Sequence, residues 1–418
     1  FAMRQIITGP LMLHARLFSF VVSTLLVATL FTGLATVPAA AQFDTMQFRY
    51  NAQHTGDYSP VAGSNVSKGQ LTWKFTTGYA VVSSPAVVNG VVYVGSGDNN
   101  VYALNATTGA KLWNYTTGSL VTSSPAVVNG VVYVGSDDNN VYALNATTGA
   151  KLWNYTTGGG VNSSPAIANG VVYVGSDDNN TYALNATTGA KLWNYTTGST
   201  VTSPAVANGV VYVGSWDNNT YALNATTGAK LWNYTTGGPV ESSPAVSNGV
   251  VYVGSNDNNT YALNATTGAK LWNYTTGNAV ASSPAVVDGV VYVGSYDNNV
   301  YALNATTGTK LWSYTTGGYV LSSPAVANGT VYVGSVDNNV YALNATTGTK
   351  LWSYTTGGAV VSCTAVVNGT VYVGSADYNL YAIGNAAAAT SQSATPGFDV
   401  VLALVGLVIA AYVVRRRI

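Results

Sequence analysis

The chain has 418 residues, only 7% of them charged, with 15 lysines and arginines balancing 15 acids; an ordinary soluble domain carries about 25% charge. No basic field exists for holding nucleic acid by phosphate neutralisation. One cysteine (Cys363), two histidines (His14, His54) and one glutamate (Glu241) rule out an intrachain disulfide framework. They also leave too few ligands for a Cys/His zinc site and too few acids for most general acid/base pairs.

Residues 17–34 form an apolar run broken only by hydroxyl residues and glycine, preceded by Arg4 and Arg16 and followed by Val37-Pro38-Ala39-Ala40-Ala41. A basic n-region, an apolar h-region and a small-residue cleavage site are the parts of a secretory signal peptide, here 1–41. The same run would also serve as a retained N-terminal anchor. Residues 42–68 form a lead-in.

Next comes an array. The string YALNATTGAKLWNYTTG, or a close variant, recurs with its tryptophan at Trp113, Trp153, Trp193, Trp232, Trp272, Trp312 and Trp352, after an earlier Trp73. The spacing is 40 except for 39 between Trp193 and Trp232, where one serine of the usual Ser-Ser-Pro is missing before Pro204. A period near 40 holding several short apolar runs is the signature of a propeller blade if each unit yields four strands.

One unit parses that way. SSPAVV leads to Asn89-Gly90, then VVYVGS, Asp98-Asn99-Asn100, VYAL, NATTG and AKLWNYT. Asn-Gly between apolar runs is a type I′ hairpin signal, since both residues accept positive φ. The other two breaks are also turn chemistry. Four antiparallel strands of four to seven residues are predicted. Their nearly continuous apolar runs suit a sheet covered on both faces. VYVG occurs eight times, the last unit lacks a Trp strand, and the first is preceded by an orphan one at 71–76. The predicted fold is all-β: an eight-bladed β-propeller over 69–385 whose last blade is completed by the N-terminal strand, leaving no open edge.

After an Ala/Ser/Thr linker at 386–395, the segment 396–418 carries Pro396-Gly397-Phe398, an apolar run and Arg415-Arg416-Arg417. The run is expected to be a transmembrane helix with the arginines in the cytoplasm and the body outside. Tripeptide, helix and Arg tail together resemble the archaeal PGF-type C-terminal sorting signal, which implies removal by an archaeosortase and transfer to a lipid anchor. A permanent single span would place the body on the same surface.

ALNATTGAKLW resembles the tryptophan-docking pattern of the pyrroloquinoline quinone (PQQ)-like propeller repeat, and FRYNAQHTGDYSPV at 48–61 looks like the lead-in of such proteins. The resemblance implies that Ala, Thr-Gly and the eight tryptophans lock adjacent blades. Quinoprotein dehydrogenases of this fold carry a vicinal cysteine pair and Glu, Asn and Asp ligands for calcium. One cysteine and one glutamate depart from that pattern. The bacterial outer-membrane assembly propeller is also similar, but it is a lipoprotein, and no cysteine follows this signal segment. PQQ and calcium are therefore the alternative cofactors to an expectation of none. Turns such as Asp137-Asp138-Asn139-Asn140 offer calcium-type oxygens, yet lack the EF-hand spacing ending in Glu. A membrane β-barrel is disfavoured because its strands need about nine to eleven residues.

Copies of one unit give the axis copies of each side chain, whereas an active site needs unlike groups converging. Two stretches do vary: the residue before the Asp of the second turn (Gly97, Asp137, Asp177, Trp216, Asn256, Tyr296, Val336, Ala376) and the pair after each TTG. In an antiparallel blade both lie at one end. Relaxed drift in exposed loops and a recognition face carried by Tyr79, Trp216, Tyr296 and Tyr319 are the two readings. Cys363 reads as drift in a buried position, with no basic residue near it in sequence. Sequons at Asn65, Asn105, Asn114, Asn145, Asn154, Asn185, Asn194, Asn224, Asn233, Asn264, Asn273, Asn304 and Asn344 are glycan acceptors on a secreted chain. The function expected is a non-enzymatic cell-surface module for adhesion or envelope structure, with an extracellular glycan or protein as partner and no nucleic acid. The alternative is a quinoprotein-type oxidoreductase.

Overall fold

The computed structural model describes residues 45–63 and 65–385. The signal segment, the linker and the C-terminal sorting segment lie outside the described residues. Among those described, no helix is long and apolar enough to cross a membrane.

Each unit folds as its turns dictate. In the first, the strands are Ala86–Val88, Val91–Gly95, Asn100–Asn105 and Lys111–Thr116, paired antiparallel in that order. Asn89 and Gly90 have φ of 51° and 75°, the two positive values of a type I′ turn. The inner strand has three residues, fewer than predicted. Pro85 has no N–H to give the ladder, and the Ser84 N–H donates instead to Ser124 Oγ of the next blade at 2.9 Å. The second and third strands are buried almost throughout, while the outer strand buries little beyond Trp113.

Eight such sheets form the propeller. Its last blade takes Gln70–Thr76 as outer strand, in register from Gln70 opposite Gly384 to Thr76 opposite Asn379. The expected closure is therefore present. Residues 65–69 repeat the turn found 40 positions later at 105–109. The cap for that turn is supplied by Asn385, whose Oδ1 accepts the N–H groups of Ser67 and Lys68. In an ordinary blade Asn105 Oδ1 does this for Thr107 and Thr108.

Neighbouring blades are joined through the tryptophans. The Trp113 indole N–H and the Tyr93 hydroxyl both donate to the Ala146 carbonyl of the next blade, at 2.9 and 3.1 Å. The indole lies flat on Gly149, where a Cβ would come within 2.7 Å of the ring. Trp352 reaches the Val66 carbonyl at 2.7 Å, so the same lock closes the ring.

The lead-in plugs the axis. Thr45–Met46 pairs with the inner strand Ala126–Val128. The chain then runs past the other inner strands, whose central N–H groups have no ladder partner on the axial side. Val206, Val246, Val286 and Val326 donate to the carbonyls of Ala52, Gln53, Thr55 and Gly56, at 2.7 to 2.9 Å. The Ile167 N–H donates to Gln47 Oε1. The segment leaves beside Asn368 and Gly369, at the Asn-Gly turns.

Candidate functional site

The two variable stretches are bonded to each other. The Asp137 N–H donates to the Leu120 carbonyl at 3.0 Å, and Trp216 to Thr200, Tyr296 to Ala279 and Val336 to Tyr319 likewise. At the opposite end the constant turns pair in the same way, Ala106 N–H to Gly90 carbonyl. One end of the disc therefore carries the variation.

The conserved Asp of the second turn is committed to structure. Asp98 Oδ2 accepts the Gly78 N–H and the Tyr102 hydroxyl, both at 2.7 Å, while Oδ1 accepts the Asn100 N–H. Burial would raise this carboxyl, but these donors outweigh it and hold the group below its ordinary range. Among the described residues no cluster of three or more His, Cys, Asp or Glu is placed to hold a metal.

A third variable position escaped the sequence reading. It stands between the invariant Val after TTG and the first axial serine: Val82, Thr122, Asn162, Glu241, Ala281, Leu321 and Val361. These side chains ring the axis at the variable end, polar on blades 2, 3 and 5 and apolar on the other four that carry one. The signal was in the repeat alignment, but blade 4 obscures it. There Thr202 Oγ1 accepts the Gly214 N–H at 3.0 Å, as Ser163 Oγ accepts that of Gly175, and Ser203 Oγ accepts the Ser164 N–H. Blade 4 has one serine before Pro204, Thr202 takes the place of the first, and the position left unfilled is the one on the ring.

Three aromatic features mark this face. Tyr79 is 52% exposed and stacks on Tyr378, which the sequence reading did not single out, at 5.3 Å. Tyr296 is only partly exposed and leans on exposed Tyr319 at 5.4 Å. Trp216, 49% exposed, stands over a cleft of about 530 Å³ that also includes Asn162, Asp177, Thr202 and Glu241. Asn162 Nδ2 donates to Asp177 Oδ2 at 2.9 Å, and Asn256 Nδ2 to Glu241 Oε1 at 2.8 Å. Burial, then Asp177, raises the Asp137 carboxyl. The Tyr296 phenol is raised by burial and then by Glu241.

The neutral chain is therefore not neutral locally. Lysines sit on the outer strands, where Lys111 Nζ bonds Asn114 Oδ1 at 3.2 Å, while Asp137, Asp177 and Glu241 lie at the variable end. Beneath them the axial serines form a ring in which Cys363 is buried, its N–H donating to Ser84 Oγ at 3.0 Å. Arg49, supplied by the lead-in and buried, donates to the Pro284 carbonyl and lies within electrostatic reach of Cys363. A basic residue thus does lie near this thiol, one that sequence proximity could not reveal. Arg49 is lowered to about 10 by burial, and His54, fully buried, to about 3 by burial and then by Arg49.

The sequon asparagines fall into three settings. Asn105 and its equivalents cap turns at the constant end through Oδ1. Asn114 and its equivalents lie on outer strands, with Nδ2 donated to Asn100 Oδ1 at 2.9 Å. Asn65 is exposed at the closure, where its carbonyl accepts Asn385 Nδ2.

Comparison with known proteins agrees with this architecture. A PQQ-type family described as outer membrane protein assembly factor BamB matches residues 54–126 and 118–204. The family described as beta-alanine-activating enzyme, beta-propeller, matches 201–400, and the PGF-CTERM motif matches 395–417. No curated protein matches the chain. Among solved structures, BamB from Moraxella catarrhalis is 22% identical, with a TM-score of 0.67 over 76% of this chain and 100% of that one. The computationally designed Ika8 protein is 20% identical, with a TM-score of 0.70 over 76% of this chain and 100% of that one. The quinohemoprotein alcohol dehydrogenase ADHIIG from Pseudomonas putida HK5 is 17% identical, with a TM-score of 0.69 over 84% of this chain and 82% of that one. Such identities establish a shared fold. The C-terminal motif marks a surface-anchored, extracellular protein.

Proposed function

We propose that this PQQ-repeat, eight-bladed propeller with a PGF-CTERM motif is a non-enzymatic binding module. It is held at the cell surface through its C-terminal helix or a lipid anchor, propeller outward, and presents its variable face to an extracellular glycan or protein. The observation that carries this reading is the pairing of both variable stretches at one end, around an axial ring of unlike side chains. Elsewhere the blades offer copies of the same groups. Exposed aromatics on that face suit stacking on sugars or anchoring a protein contact. Glycans on the constant-end turns would leave it bare.

The quinoprotein reading remains as the second, because quinohemoprotein dehydrogenases share the fold. Against it stand a lone thiol, which cannot form a vicinal pair, and a single glutamate tied to Asn256. The axial mouth also carries carboxylates, unfavourable for a cofactor that is itself a polycarboxylate. Titration with PQQ in the presence of calcium separates the two. The binding-module reading expects no saturable uptake; a calcium-dependent endpoint of one per chain would overturn it.

A further inference from the structure

Blade 4 alone lacks a side chain on the axial ring, and the cleft lies at that gap. Its neighbours are Asn162 on blade 3 and Glu241 on blade 5, with Trp216 on blade 4 as one wall. Seven blades fill the position. The gap is therefore a local feature written by one deletion, not a property of the repeat.

Its chemistry is specific. Asp177 and Glu241 are each held by a single amide donor, through one carboxylate oxygen. Among the described residues no lysine or arginine donates a hydrogen bond to either. Lys191 Nζ and Lys230 Nζ bond outer-strand asparagines instead, and Arg49 is turned to Pro284 on blade 6. Thr202, Ser203 and Ser243 line the cleft together with the half-exposed indole of Trp216. Two oriented carboxylates beside an indole attract a cation, by charge-assisted hydrogen bonding and by the ring quadrupole together. A lining of small polar residues suits an uncharged polar stem.

Building on the reading of this end as a recognition face, we propose that the blade 4 gap binds a primary ammonium group on a small uncharged stem, whether an amino sugar or the tip of a lysine side chain. The net neutrality of the chain suggests weak electrostatic steering, but the segregation of lysines from axial acids makes this one contact depend on salt.

The test is calorimetric titration of the full chain in non-ionic detergent with three probes: glucosamine, Nα-acetyl-lysine amide and, as an uncharged control, N-acetylglucosamine. At least one amine should bind with a 1:1 endpoint and the control should not, the stronger amine identifying the stem. Glu241→Gln and Asp177→Asn should each weaken binding by about tenfold or more, as expected for a lost charge-assisted bond. Insertion of one leucine between Val201 and Thr202, refilling the ring, should abolish binding with the melting temperature maintained. Failure of both amines to bind, equal binding of the acetylated control, or indifference to the two charge-removing substitutions would each overturn the proposal. If these fail while the chain still binds envelopes through its variable face, the site assignment falls and the broader function stands.

Discussion

Asn385 Oδ1 accepts the backbone N–H of Ser67 at 2.8 Å, joining the two ends of the propeller within one turn. The same oxygen accepts the Lys68 N–H at 3.1 Å. This contact fixes the entry of Gln70–Thr76 into the last blade. Asn385→Ala should destabilise the propeller by about 1–2 kcal/mol, the usual cost of a lost cap. Asn145→Ala, in a turn made by one continuous stretch of chain, serves as the control. Chemical unfolding should show similar losses, but only the Asn385 variant should aggregate more readily, because it frees a sheet edge. Equal aggregation would mean that the closing strand holds without its cap.

Removing the lead-in tests the axial plug separately from closure. Deletion of residues 42–62 should keep a monomeric ring of lower melting temperature, since it strips the partners of the Val206, Val246, Val286 and Val326 N–H groups. Deletion of 42–77 also removes the last outer strand and should leave aggregating material. Unchanged melting and a monomeric elution profile after the longer deletion would show that the ring closes by other means.

His54 makes stability depend on pH above the carboxylate range. Its value falls from 6.5 in the unfolded chain to about 3 when buried. A depressed value means stability is complete above pH 6.5 and is lost as protons bind the unfolded chain below it, at about 1.4 kcal/mol per pH unit. Unfolding free energy should therefore decline between pH 6.5 and 4.5. The Asp98-type carboxyls, also depressed, add their loss only at lower pH. His54→Met should flatten the upper window; a slope that survives it would locate the titration elsewhere.

Two glycines separate steric docking from backbone strain. Gly149 has φ of 73° and faces the Trp113 ring, whereas Gly130, with φ of 75°, has open space where a Cβ would go. Gly130→Ala should cost about 1 kcal/mol, for the left-handed backbone alone. Gly149→Ala should cost about 3 kcal/mol or more, since an indole must also move. Equal losses in thermal unfolding would contradict the tryptophan lock.

Removing residues 396–418 should release the propeller into the medium. Retention of the truncated chain in the envelope fraction would place the anchor in the N-terminal apolar run.

Much of this was legible in the sequence because it is periodic. The 40-residue spacing, the Asn89-Gly90 turn and the orphan Trp73 strand required the blades, their hairpins and their closure. The plug was not legible. The lead-in has no period, and its bonds reach inner strands far along the chain, as with Ala52 and Val206. Arg49 beside Cys363 follows from the same threading. The inner strands ended early because serine hydroxyls of the next blade took backbone donors that propensity assigns to a ladder. The axial ring from Val82 to Val361 could have been read, since it varies in register with the repeat. The missing serine of blade 4 is legible in the sequence, but not that Thr202 takes its place in the hydrogen bonding and so leaves the ring position empty.

The central claim is that the variable end of the disc is the binding face. Secreted protein spanning 42–395 should pellet with isolated envelopes of the parent cells. Trp216→Ala with Tyr296→Ala should strongly reduce that binding at a nearly unchanged melting temperature, the loss of one tilted ring pair with Tyr319 costing only about 1 kcal/mol. Binding that survives the double substitution, yet falls when Asn105 and Asn145 at the opposite end are replaced, would show that the other face carries the function.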